Sequence, residues 1–155
     1  MKIHCKSLIA IALAVTPAAA QPNVSQHPRV GQLGEVKFAS GSVALPVGSE
    51  PVLGEVAAWA KENPEGMVVV EGYADRSGAP KANVAISTQR ADSVVEHLLI
   101  LGVPREQLVV AGFGGHRNGR RVVVWSTRGS YEAIEARLRA RGAKTVQTSN
   151  LMARR

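Results

Sequence analysis

Apolar residues recur along this chain with two different periods, and glycine and proline cut the pattern into elements. Val36 to Ala39 reads as a short first strand. Ser49, Glu50 and Pro51 form a helix-start signature, apolar residues follow at Val52, Val56, Trp59 and Ala60, and Asn63-Pro64 stops the pattern. Met67 to Val70 is too short and too β-branched for a helix, so it predicts a buried strand running through Gly72 and Tyr73 to Asp75. Pro80 to Leu101 is the longest helical segment. Val84, Ala91, Val94, Val95, Leu98 and Leu101 form its core stripe, and Gly102 and Pro104 end it.

Gln107 to Ala111 and Arg121 to Thr127 predict two further strands. Between them Gly112 to Arg120 holds four glycines and an Asn118-Gly119 pair, which predicts a hairpin, with the run Gly112 to Gly115 as a turn. The order is β-α-β-α-β-β, which implies an α/β (α+β) two-layer sandwich: a mixed sheet with both helices on one face. Ser130 can cap a third helix from about Tyr131 to Arg141, with Glu132 and Glu135 early and arginines late, as the helix dipole prefers. Lys144 to Arg155 has no strong pattern.

Charge changes this picture in one respect. The formal net charge is +7, but from Gln21 to Thr127 there are 10 basic and 10 acidic residues, so the body is neutral and the excess lies at the two ends. A neutral body with a basic tail is a poor reader of nucleic acid. At the front, Lys2 and Lys6, the apolar run Ser7 to Val15 and the small residues Ala18 to Ala20 have the form of a secretory signal peptide over residues 1–20. Cys5, the single cysteine, precedes the apolar run, so the mature chain is expected to carry neither disulfide nor lipid anchor. No later segment approaches the roughly 20 apolar residues of a transmembrane helix. Residues 21–33, polar with two prolines, read as a linker, 34–128 as the folded domain and 129–155 as a basic helix and tail. That tail is expected to pack on the domain, touch an anionic surface or dock an envelope protein. Cutting at Arg128 is expected to leave the domain's binding preference intact.

Catalytic chemistry finds little support. The mature chain has no cysteine nucleophile, no Gly-x-Ser-x-Gly elbow and no His/Cys cluster at metal-ligand spacing, and no cofactor is implied. His97, on the long helix, is expected to be a surface or boundary histidine. One constellation remains. Asp75 ends the central strand where the chain turns into the long helix, and ligands gather at such strand ends. Asn83, Ser87 and Arg90 share one face of that helix, so an acid, an amide and an arginine can converge on one cleft. Spacing alone leaves two readings open: a binding site, or a structural salt bridge between Asp75 and Arg90.

Three stretches resemble the OmpA-like domain family, the C-terminal type of OmpA and MotB, also found in the peptidoglycan-associated lipoprotein. They are Phe38, Ser42 and Leu45; Gly72 to Gly78 with Asp75, followed by Asn83 to Ala91 with Ser87, Arg90 and then Val94; and Arg120-Arg121-Val122. The resemblance covers roughly residues 35–127 with every spacing intact. It implies a non-catalytic periplasmic module that binds peptidoglycan through the diaminopimelate of its stem peptide, peripheral at the outer membrane. Asp75 would receive the ligand ammonium, Arg90 its carboxylate, and Asn83 would add hydrogen bonds. Arg121 is carried as a fourth ligand-binding residue, with one of Arg120 and Arg121 expected to be structural. Tyr73-Ala74 stands where His-Thr is commoner, which removes a hydroxyl. Two rivals remain: an interaction module that has lost its ligand, and a wall hydrolase using Asp75 with Asp92 or Glu71.

Overall fold

The computed structural model describes residues 31–116 and 119–148. The expected signal peptide, most of the expected linker and the end of the tail lie outside the described residues. Within them the elements are β1 (Gly31–Lys37), α1 (Glu50–Glu62), β2 (Met67–Ala74), α2 (Pro80–Ile100), β3 (Leu108–Gly115), β4 (Arg121–Thr127), α3 (Tyr131–Ala140) and β5 (Thr145–Thr148), with a 3-10 turn at Arg105–Gln107. No helix among them is long and apolar enough to cross a membrane. The strand order is β1-β4-β2-β3-β5. β2 and β3 are parallel, and the other pairings are antiparallel.

The mixed sheet and its two helices on one face are as expected, but the hairpin is not. β4 pairs with β1 and β2 and never with β3. The reason lies in β2, whose residues from Val68 to Ala74 are buried throughout. A strand covered on both faces sits inside the sheet, and the two neighbours of β2 are β3 and β4. The chain therefore crosses the end of β2 between β3 and β4. Gly112 to Gly115 is correspondingly strand rather than turn.

Two cores flank the sheet. α1 and α2 pack Leu53, Val56, Trp59, Val94, Val95 and Leu98 against Val36, Val68, Val70, Leu108, Val110, Val122 and Val124. On the opposite face α3 packs Ile134 and Leu138 on Val69, Val109 and Ala111. The segment after Thr127 is thus a third layer and an edge strand of the domain, not an appendage. Removing it would uncover a core, which corrects the expectation that a cut at Arg128 is harmless. Linker boundaries shift as well, because β1 begins at Gly31.

Helix ends match the pattern closely, with one difference in chemistry. Ser130 accepts a hydrogen bond from Ala133 N at 3.4 Å and caps α3. Ser49 precedes α1 without capping it, since its hydroxyl donates to Pro46 O at 2.7 Å. Gly72 matters for packing: a Cβ there would strike the Ser87 carbonyl, so α2 can lie close on β2 only over a glycine.

Candidate functional site

The end of β2 is where the chain's polar residues meet. Asp75 follows β2 directly, half-exposed, and the loop through Gly78 leads into α2. Pro80 opens that helix, and no side chain caps it or adds a negative charge in its first turn. Orphan N–H groups at such a terminus favour an anion. Asn83 is buried one turn in, with its Nδ2 3.5 Å from Gly78 O. Gly78, Pro80, Asn83, Phe113, Gly115 and Lys144 are among the residues lining a 390 Å³ depression beside this helix start.

The crossing connection forms the other wall. His116 N donates to Ala74 O at 2.8 Å. A Cβ on Gly119 would collide with the Ala74 carbonyl, so the chain passes over β2 at a distance only glycine permits. The next residue, Arg120, has φ 59°, in the left-handed region. Its Nε lies 3.5 Å from Asp75 Oδ2, and its carbonyl accepts from Phe38 N at 2.7 Å.

Arg90 lies beneath the loops, 2% exposed. Its Nε donates to Ser42 O at 2.8 Å, one terminal nitrogen to Tyr73 O at 3.1 Å and the other to Ala39 O at 3.3 Å, while the guanidinium sits 5.5 Å from the centre of the Phe38 ring. Burial lowers its pKa from the ordinary arginine value; Asp75 opposes the shift and Arg120 adds to it. An arginine has five N–H donors, so two remain after these three bonds. Arg90 therefore knits the β1–α1 loop to β2 and holds a fixed positive charge under the cleft. The Asp75–Arg90 salt bridge left open above is not formed, for Asp75 pairs with Arg120.

The expected residues thus divide. Asp75 and Asn83 converge and Arg90 supports them from below. Arg121 does not join them. Val122 points into the α1/α2 core, so its neighbour Arg121 faces the other side of the sheet, 5.3 Å from the Tyr73 ring centre and 4.0 Å from Glu35. Arg121 was carried as the ligand-binding member of the arginine pair, and it is Arg120 that meets Asp75. Ser87 is fully buried and fastens β3 to α2, accepting from Gly114 N at 3.0 Å. His97 is half-buried, at a boundary as expected.

Glu71, weighed above only as a hydrolytic partner of Asp75, is 1% exposed on the α3 face. Its Oε2 accepts from Tyr73 Oη at 2.8 Å, Trp125 Nε1 at 3.0 Å and an Arg141 terminal nitrogen at 3.1 Å, and the other Arg141 nitrogen meets Oε1. Burial and the Glu71 charge raise the Tyr73 pKa and keep the phenol protonated, while hydrogen bonding to Glu71 raises the Arg141 pKa. This carboxylate is sealed beneath α3, and Asp92 is engaged with Gln147 Nε2 at 3.5 Å. Neither faces Asp75 across a cleft, as a pair of hydrolytic carboxylates must. Among the described residues no group of three or more His, Cys, Asp or Glu could hold a metal.

Known proteins resemble this chain in sequence and in fold. The chain is 36% identical over 67 residues to the peptidoglycan-associated lipoprotein of Legionella pneumophila, covering 43% of this chain and 38% of that protein. It is 46% identical over 50 residues to outer membrane protein A of Yersinia pseudotuberculosis, covering 32% of this chain and 14% of the relative. It therefore spans well under half the length of these curated relatives. The crystal structure of the peptidoglycan-associated lipoprotein from Burkholderia pseudomallei superposes with a TM-score of 0.54 at 25% identity, over 60% of this chain and 89% of that one. The model of the OmpA family matches residues 37–130, from the end of β1 to the cap of α3, a span that holds Asp75, Asn83, Arg90 and Arg120, and the chain belongs to that family.

Proposed function

We propose that this chain is a non-catalytic peptidoglycan-binding module of the periplasm, and that its ligand is the amino-acid end of diaminopimelate in the wall stem peptide. One observation carries the reading. A half-exposed carboxylate, Asp75, stands beside an uncapped helix start and above a buried guanidinium, so one anionic and one cationic subsite lie next to each other. A zwitterionic end needs that combination. The ligand ammonium replaces Arg120 at Asp75, and the ligand carboxylate takes the α2 amides, the Asn83 amide and the field of Arg90. Relatives named for their association with peptidoglycan support the same reading.

A single amino-acid end offers few contacts, so each site binds weakly and the polymer retains the protein by avidity. The rival reading, a module that has lost its ligand, draws on the three carbonyl bonds of Arg90. Co-sedimentation with purified diaminopimelate-type sacculi separates the two. The expected result is retention of the wild type, loss of retention in Asp75→Ala and no release of soluble muropeptides. Equal retention of both proteins, or catalytic release of fragments, contradicts the proposal.

A further inference from the structure

Three basic side chains crowd the corner of the sheet next to Asp75. Lys37 on β1 and Arg121 on β4 stand directly opposite each other in an antiparallel pair, where like charges repel. Arg120 follows in its left-handed conformation, which a side chain adopts only when the surroundings enforce it. With Glu35, Phe38 and Gly119 these residues line an open pocket of 320 Å³. Glu35 is its one carboxylate among the described residues, and it lies 4.0 Å from Arg121, at the outer limit of an ion pair. Arg121 Nε is buried without a hydrogen-bond partner. The lining thus carries three cations against one anion, with donors to spare.

This pocket and the Asp75 cleft share a wall. Arg120 lines the pocket, and its Nε is 3.5 Å from Asp75 Oδ2. An ammonium arriving at Asp75 displaces Arg120 from its partner and leaves that guanidinium in need of an anion. The ligand can supply one. In the wall peptide the glutamate joined to diaminopimelate through its side chain keeps an unlinked α-carboxylate.

We propose that Lys37, Arg120 and Arg121 form a second subsite, for a carboxylate borne by the same peptide whose amino-acid end occupies Asp75. The inference rests on the proposed function and adds a specificity determinant to it. Binding exchanges one ion pair for two: Asp75 passes from Arg120 to the ammonium, and Arg120 passes to the carboxylate. Arg121, which does not reach the cleft, acquires its ligand-binding role here instead.

Calorimetric titration of the signal-peptide-free chain, residues 21–155, with meso-diaminopimelate and with N-acetyl-γ-D-glutamyl-meso-diaminopimelate tests this. The dipeptide should bind about three- to tenfold more tightly, the range expected of partly exposed charge pairs, and the advantage should shrink in salt. Lys37 is exposed, so Lys37→Gln should stay folded. It should lower the dipeptide's advantage and leave diaminopimelate binding unchanged, Lys37→Glu should remove the advantage, and Arg121→Gln should act as Lys37→Gln does. Equal binding of the two ligands by wild type, or an advantage that survives in both Lys37 variants, overturns the subsite while leaving the Asp75 reading intact. Failure of wild type to bind either ligand overturns both.

Discussion

Arg141→Ala tests whether the segment after Thr127 belongs to the domain. Arg141 gives Glu71 two of its four hydrogen bonds, and Glu71 is 1% exposed. Removing one partner of a fully buried ion pair costs about 3–5 kcal/mol. Arg141 is 47% exposed in its side chain, so water can approach part of the vacated space, and Tyr73 and Trp125 keep their bonds to Glu71. The loss should therefore be about 2 kcal/mol. With a urea m-value of about 1–3 kcal/mol/M, that moves the unfolding midpoint down by roughly 1 M. Arg139→Ala is the control, since it removes an exposed i, i+4 pair with Glu135 worth about 0.3–0.5 kcal/mol. Urea unfolding followed by tryptophan fluorescence reads both. An Arg141→Ala midpoint no lower than that of Arg139→Ala would refute the claim that Glu71 depends on α3, and with it the view of the C-terminal segment as a third layer.

Tyr73→Phe should cost about 1.5–3 kcal/mol near pH 8, the range for a hydrogen bond to a charged group. Because the folded-state pKa of Tyr73 is raised, its stabilisation is full below the unfolded phenol value of about 10 and is lost as pH rises beyond it. The gap between wild type and Tyr73→Phe in urea midpoints should therefore narrow above pH 10; a constant gap would show that Tyr73 titrates normally. Gly119→Ala should reduce sacculus retention with circular dichroism unchanged, since a Cβ there displaces the backbone beside Asp75, and unaltered retention would separate that crossing from the site. Arg90→Ala should lower stability by about 3 kcal/mol or more even without ligand, as two loop carbonyls and one of β2 lose a charged donor, whereas a variant of wild-type stability would deny Arg90 its structural part.

Local features of this fold were readable where one element decided them. The valine run of β2, the apolar stripe of α2 and the Ser130 cap depend on neighbours in sequence, and each element formed within a residue or two of its expected bounds. Strand order was not readable, because it turns on β4 pairing with β1 and β2, strands far from it in sequence. β5 was missed because a four-residue edge strand of half-buried positions carries no apolar alternation. In the site, Asp75 and Asn83 were legible from the strand end and the helix start. Arg120 was hidden by its positive φ, which breaks the alternation a strand would impose. Glu71 was hidden because its counter-ion lies 70 residues away in sequence.

The central claim is that the Asp75 cleft reads a zwitterionic end through both of its charges, and side-by-side sedimentation with two wall types tests it most directly. Lysine-type peptidoglycan keeps the ammonium for Asp75 but lacks the diaminopimelate carboxylate, so Arg90 and the α2 amides are left without an anion. The account predicts that wild type is retained by diaminopimelate-type sacculi, retained much more weakly by lysine-type sacculi, and that Asp75→Ala abolishes the difference. Equal retention by both wall types, or a preference that persists in Asp75→Ala, would contradict it.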